Sequence, residues 1–151
     1  KICDLIHVNP HKEDVWRFLV QLGGQVLIVV RLRGRVKVFK YDDAEPVPVE
    51  SIGRHAIFVG HHRCLAVDAD RFPSVEADCV YYTLDVGKFA FIWKHNINDG
   101  KDERVYDDIN FVKEDKQFVF SGRSPFTIIQ LLSSYTINIR DSELALQQQI
   151  T

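Results

Sequence analysis

No apolar stretch in this sequence runs on for long before glycine, proline or a cluster of charges stops it, and that rhythm is the strongest constraint on the fold. Asp14–Leu22 (DVWRFLVQL) has the apolar content of a short helix or a buried strand. The Gly23-Gly24 turn behind it, followed by the β-branched run Gln25–Leu32, favours a strand. That run leads through Arg33-Gly34 into Arg35–Tyr41, the pattern of a hairpin. In its second arm Val36 and Val38 fall on one side while Arg35 and Lys37 fall on the other, because side chains alternate across a strand. The expected sheet therefore has a dry face and a wet one.

Asp42–Pro48 (DDAEPVP) is acidic and carries two prolines, so it is expected to be an exposed loop that ends the pairing. Short strands are expected at Ala56–Val59, closed by Gly60, and at Cys64–Val67. Phe72-Pro73-Ser74 breaks the chain before Cys79–Thr83 and Phe89–Lys94, and Asn98-Asp99-Gly100 makes the next turn. Short strands spaced by roughly 8–12 residues with turn chemistry between them indicate a sandwich, a barrel or propeller blades. Further on, Phe118–Phe120 is strand-like, while Phe126–Leu132 and Ser142–Ile150 have the character of short helices. Ser142 suits an N-cap, although Ala145 stands where a capping box needs Glu or Gln.

The 151 residues suffice for one domain with a real core, and 46% hydrophobic against 26% charged residues is a globular balance. With 19 basic and 21 acidic residues there is no global field to draw the chain onto nucleic acid or anionic lipid. Cys3, Cys64 and Cys79 are too few, and odd in number, for a disulfide framework, and the run Val26–Val30 is far short of the ~20 residues of a membrane helix. A cytoplasmic or nuclear protein with no membrane contact is expected. The chain starts at Lys1 and contains no Met, so it reads as a fragment or a processed product.

Within this frame Ser51-Ile52-Gly53-Arg54-His55-Ala56-Ile57-Phe58-Val59-Gly60 resembles the segment S-I/L-G-x-x-A-I/L-F-L/V-G of the plant KIB-type β-propeller family. Phe72-Pro73 and Asp78-Cys79-Val80-Tyr81-Tyr82-Thr83-Leu84-Asp85 are similar to its F-P-x-x-x-x-N-C-I/V-Y-F/Y-T-D-D, with Asp78 for Asn and Leu84 for the first Asp. Phe18–Arg31 is similar to the family's Y-L-V-E-S-x-G-E-L-L-x-V-x-R, and Val36–Lys40 to its F-x-V-F/Y-K/R. The likeness covers about residues 16–85, fades after Asp85, and has no counterpart in the tail 124–151. It implies an all-β fold, a single partial β-propeller domain of about two to three antiparallel blades with short C-terminal helices. It also implies a protein-interaction role, since relatives often carry this domain behind an F-box and recruit substrates to a ubiquitin ligase. No segment here looks like an F-box. A Skp1-type adaptor is therefore a partner only if one lies ahead of Lys1, and the protein partner is otherwise unknown. An incomplete ring is expected to be unstable alone, dimeric or part of something larger.

No cofactor and no enzymatic activity are expected, because no G-x-S-x-G, HExxH or P-loop is present. Ser121-Gly122, Asp42-Asp43 and Asp107-Asp108 read as loop residues, and so does the acidic stretch Asp99–Glu103, a binding candidate by position alone. His61, His62, Cys64 and Cys79 are the nearest approach to a metal set, but their spacing fits no zinc pattern and no metal is expected. The basic residues Arg31, Arg33, Arg35 and Lys37 are the candidate binding surface: spaced two apart, they are expected to form one stripe able to meet phosphates. A nucleic-acid-binding β domain using the Arg31–Lys40 hairpin is the alternative function. It is disfavoured because no aromatic residue is interleaved among those charges.

Overall fold

The computed structural model describes residues 15–106, 109–122 and 126–138. The expected helix Ser142–Ile150, Cys3 and the pair Asp107-Asp108 lie outside them. Strands β1 (Val15–Leu22), β2 (Gln25–Leu32), β3 (Arg35–Asp42) and β4 (Glu45–Pro48) form an antiparallel meander in that order, one four-stranded blade. Its turns are tight: Leu22 pairs with Gln25 across Gly23-Gly24, and Leu32 pairs with Arg35 across Arg33-Gly34. Gly34 has φ +80, and Gly23 and Gly24 also lie in the left-handed region, which glycine enters without penalty. The segment expected as a loop, Asp42–Pro48, instead turns at Asp43-Ala44 and returns as the edge strand β4. Pro46 and Pro48 are tolerated there because an edge strand has one side that need not donate.

The second sheet contains β5 (His55–Val59), β6 (Cys64–Asp68), β7 (Cys79–Val86), β8 (Phe89–Asn96), β10 (Phe111–Glu114) and β11 (Gln117–Phe120), in the order β11-β10-β8-β7-β5-β6. A three-residue strand β9 (Asp102–Arg104) lies beside β8, so the acidic stretch at Asp99–Glu103 is only partly loop. The five strands expected in this half of the chain are all present, as are the three expected in the first sheet. One expectation needs correction: β5 and β7 run parallel, so the blades are not antiparallel throughout. The chain leaves β5 for the outer edge at β6, then crosses back through a 3₁₀ turn at Ala69–Arg71 and Phe72-Pro73 to the other side of β5.

Asp78 anchors that return. Its carboxylate accepts from Ile52 N at 2.7 Å and from Ser51 Oγ at 3.1 Å, while its own N–H donates to His55 O at 2.7 Å. Its φ is +62, a conformation that Asp and Asn tolerate better than other side chains, so Asp is a physically sound exchange for Asn at this position. The most recognisable blocks of the sequence are therefore joined side by side, as the parallel pair and its anchor.

Helix α1 (Ile128–Ile137) begins at Thr127, whose side chain accepts from Gln130 N, while Gln130 Oε1 accepts from Thr127 N. This capping box lies within the helical region expected at Phe126–Leu132 and extends that helix by a turn and a half. The described residues form three layers. One face of the first sheet, with Leu27, Val29, Val36 and Val38, packs on Ile57, Val59, Val80 and Tyr82 of the second. The opposite face of the second sheet, with Phe58, Tyr81 and Ile92, packs on Ile129 and Ile137 of α1.

Gly60 closes β5 for a reason different from backbone freedom. Its φ is not positive, but a Cβ there would lie 2.2 Å from Thr136 O, so the end of α1 rests directly on its backbone. Gly53, at φ +66 with open space around it, is the glycine that the turn itself demands.

Candidate functional site

The described surface has a cleft of about 450 Å³ at the open side of the seam between the two sheets. Val36, Val38 and Val49 form one wall, and Ile97, His95 and Asp102 form the other, with Arg35 and Lys37 along the rim. Its polar end is ordered by a hydrogen-bond chain. Tyr82 donates to Asp102 Oδ2 at 2.5 Å, and Asp102 Oδ1 lies 2.7 Å from His95 Nδ1. Burial, together with the Asp102 carboxylate, pushes the Tyr82 hydroxyl far above its usual range, so it stays a donor. A mostly apolar depression with a few fixed polar groups is the usual form of a binding site. Asp102 falls within the acidic stretch Asp99–Glu103, a binding candidate by position, whereas nothing in the sequence singles out His95. The available signal was the polar end of β8 next to an acidic run, which only tertiary pairing turns into a wall.

The candidate basic stripe is divided. Because Leu32 pairs with Arg35, the row Arg31–Val36 faces inward and the row Val30–Lys37 faces outward. Arg31 is 2% exposed, whereas Arg33, Arg35 and Lys37 are exposed. The two-apart rule holds along one strand and fails across a two-residue turn, which shifts the parity of the second arm. The structure thus groups Arg35 with Lys37 on one face, places Arg33 at the turn, and sets Arg31 apart.

Arg31 belongs to a buried polar cluster elsewhere in the seam. It donates through Nη2 to Thr83 O and lies over the Trp16 ring at 5.2 Å. Trp16 in turn stacks on His61 at 4.7 Å, and His61 Nε2 lies 3.8 Å from Asp85 Oδ2. Burial lowers the Arg31 guanidinium to about 10, against the favourable charge of Asp85, and it remains a cation. Burial first, and Arg31 second, push His61 down to about 4, so the ring is neutral near pH 7.

His61, His62, Cys64 and Cys79 do not converge. Cys64 packs with the core between the sheets and Cys79 with the core under α1, on opposite faces of the second sheet. Burial raises the Cys64 thiol to about 12, and Cys79 donates to Glu76 Oε2, which also receives Lys94 Nζ at 3.0 Å. Among the described residues, no three His, Cys, Asp or Glu side chains are grouped closely enough to hold a metal ion.

A family model described as the KIB1-4 beta-propeller matches residues 2–121. The chain belongs to this family. No curated protein and no solved structure matches it. The KIB1-4 match extends well beyond Asp85, where the recognisable sequence blocks end, and so takes in β8 and β9, which form the far wall of the cleft. In this KIB1-4 chain the block Val36–Lys40 supplies the near wall of the cleft and Tyr82 orders its polar end, whereas the remaining blocks are mainly scaffold. Gly53, Asp78 and the stacked pair Phe58–Tyr81, 4.7 Å apart, set backbone turns and core packing and do not line the cleft.

Proposed function

We propose that this KIB1-4 chain is a protein-interaction module and that, within a longer protein carrying an F-box, it serves as the substrate-recruiting part of a ubiquitin-ligase adaptor. The observation that carries the reading is the cleft, an apolar depression framed by two packed sheets with a hydrogen-bonded polar end. Such a frame holds a partner's side chain without having to reorganise, which lowers the cost of binding. The cytosol or nucleus suits the free thiols of Cys64 and Cys79. No helix among the described residues is long and apolar enough to cross a membrane.

Site-directed photo-cross-linking tests this. A benzoylphenylalanine at Lys37, on the cleft rim, is expected to capture a protein partner in a saturable way. The same group at Lys88, in the turn at the far end of β8, is expected not to. Adducts to nucleic acid, or equal labelling from both positions, would count against the module. A Skp1-type adaptor is expected to co-purify only with a longer product that carries an F-box.

A further inference from the structure

Arg31 and Asp85 attract each other across the seam, yet each keeps buried atoms that no hydrogen bond reaches. Arg31, on β2 of the first sheet, is 2% exposed, and its Nη2 donates to Thr83 O on β7 of the second. The Trp16 ring also holds it, with the guanidinium carbon 5.2 Å from the ring centre. Asp85 stands two residues beyond Thr83 on β7, so the two side chains share a face of that strand. Asp85 Oδ2 lies 3.8 Å from His61 Nε2, and His61 stacks on Trp16. The contacts thus run in an arc from Arg31 through Trp16 and His61 to Asp85. At the two ends of the arc, Arg31 Nε, Arg31 Nη1 and Asp85 Oδ1 are buried without a hydrogen-bond partner among the described residues, and so is Thr83 Oγ1.

We infer that this place is a binding site for one internal water, which accepts from Arg31, donates to Asp85 Oδ1 and so bridges the two sheets. The chemistry of the atoms selects the ligand. Guanidinium N–H groups only donate and a carboxylate oxygen only accepts, so the occupant has to do both. Thr83 Oγ1 can do either, and it supplies the third partner that internal waters usually have. An anion would suit Arg31 but meet the Asp85 carboxylate, while a metal ion would suit Asp85 but meet the Arg31 charge. Water is the small neutral ligand with both functions. Arg31 is not free to replace it by moving onto Asp85, because Thr83 O and the Trp16 face fix its guanidinium. The bridge removes the desolvation cost that buried donors and acceptors carry when left alone. The side chains of Asp85 and His61 are 33% and 21% exposed, so water enters on their side of the seam.

The test combines a crystal structure of the chain with oxygen-17 relaxation dispersion, which counts the long-lived waters of a protein in solution. The electron density is expected to show one water within about 2.7–3.2 Å of Asp85 Oδ1 and of Arg31 Nε or Nη1. Asp85→Asn keeps an oxygen at the same reach and is expected to keep the full dispersion amplitude. Asp85→Glu carries its carboxylate one methylene further, onto the guanidinium. It is expected to expel the water, so that the amplitude falls by one water relative to wild type. A direct Arg31–Asp85 contact, a dry site, or an adventitious ion only on Arg31 would overturn the inference. So would an unchanged amplitude in Asp85→Glu, or an equal fall in both variants. If Asp85→Glu does not fold, the wild-type density decides alone.

Discussion

Arg31 and His61 show how a residue's chemistry is set by its place in the seam rather than by its type. Arg31 is a cation 2% exposed, held by Thr83 O and the Trp16 face, with its Nε and Nη1 unpartnered among the described residues. Polar atoms left without a partner in an interior are costly, so their presence beside Asp85 marks the seam as a place where stability depends on charge state. His61 makes that dependence measurable. Its folded value lies near 4 against an ordinary 6.5, with burial the leading cause and the Arg31 charge next. The unfolded chain therefore takes up the proton first as pH falls. The stability held by neutral His61 is complete above about 6.5, declines through the window down to about 4, and amounts to about 3 kcal/mol. Asp85, whose carboxyl is raised by burial, acts in the opposite sense and offsets part of this loss. Urea denaturation at pH 7 and pH 4.5 is expected to show wild type losing stability, whereas His61→Phe, which keeps a ring against Trp16, loses markedly less. An equal loss in both proteins would place the acid sensitivity elsewhere. None of this was legible in the sequence, where His61 reads as part of a polar turn. Its burial comes from the contact of β1 with the β5–β6 turn, and no local pattern encodes that contact.

At the scale of elements, what was legible was what local chemistry decides. Gly23-Gly24 and Arg33-Gly34 specify two-residue turns, and the alternation of Arg35–Val38 specifies which face of β3 is dry. What was not legible depends on partners distant in sequence. The prolines of Asp42–Pro48 suggest a loop, yet β3 offers an edge on which they are tolerated. Gly60 reads like Gly53, a residue freeing the backbone at a strand end, but it is required by the approach of α1. The two sites make a paired prediction. Gly60→Ala forces a Cβ against the Thr136 backbone, which cannot yield as a side chain end can, and an overpacking cost of about 1–3 kcal/mol is expected. The amides of α1 should then exchange faster, because Thr136 O also accepts from His62 N and Arg63 N. Gly53→Ala meets no atom and carries only the strain of a left-handed alanine, about 1 kcal/mol, with no effect on α1. Similar costs and unchanged helix exchange in both variants would contradict the contact. Asn138 has a related role, since it accepts from Phe118 N at 2.6 Å and donates to Phe118 O at 2.7 Å, pairing with β11 as a strand residue would.

For the whole molecule, the question is how a partial propeller manages its open surfaces. The two sheets share one core, in which Leu27 and Val29 meet Val59 and Tyr82, so neither sheet retains its apolar face without the other. They are expected to unfold together. On the outward face of the first sheet Ile28, Val30 and Leu32 are fully buried beside Val15 and Phe39, but its far corner is different. Leu19, Val26 and Tyr41 stand on it, 67%, 53% and 47% exposed, near the end remote from the Arg33-Gly34 turn. In a closed propeller each such face meets a neighbouring blade, and exposed apolar side chains on an adjoining strand set favour association. Sedimentation of the chain as a concentration series is therefore expected to show a mass rising above the monomer, with a melting temperature that rises with concentration. The double variant Leu19→Lys and Val26→Lys, which changes only exposed positions, is expected to remain monomeric and to melt at a temperature independent of concentration, because binding stabilises only what it engages. If wild type instead stays monomeric with a cooperative, concentration-independent melt, this face is self-sufficient. The expectation that an incomplete ring must find a partner would then fail for this chain.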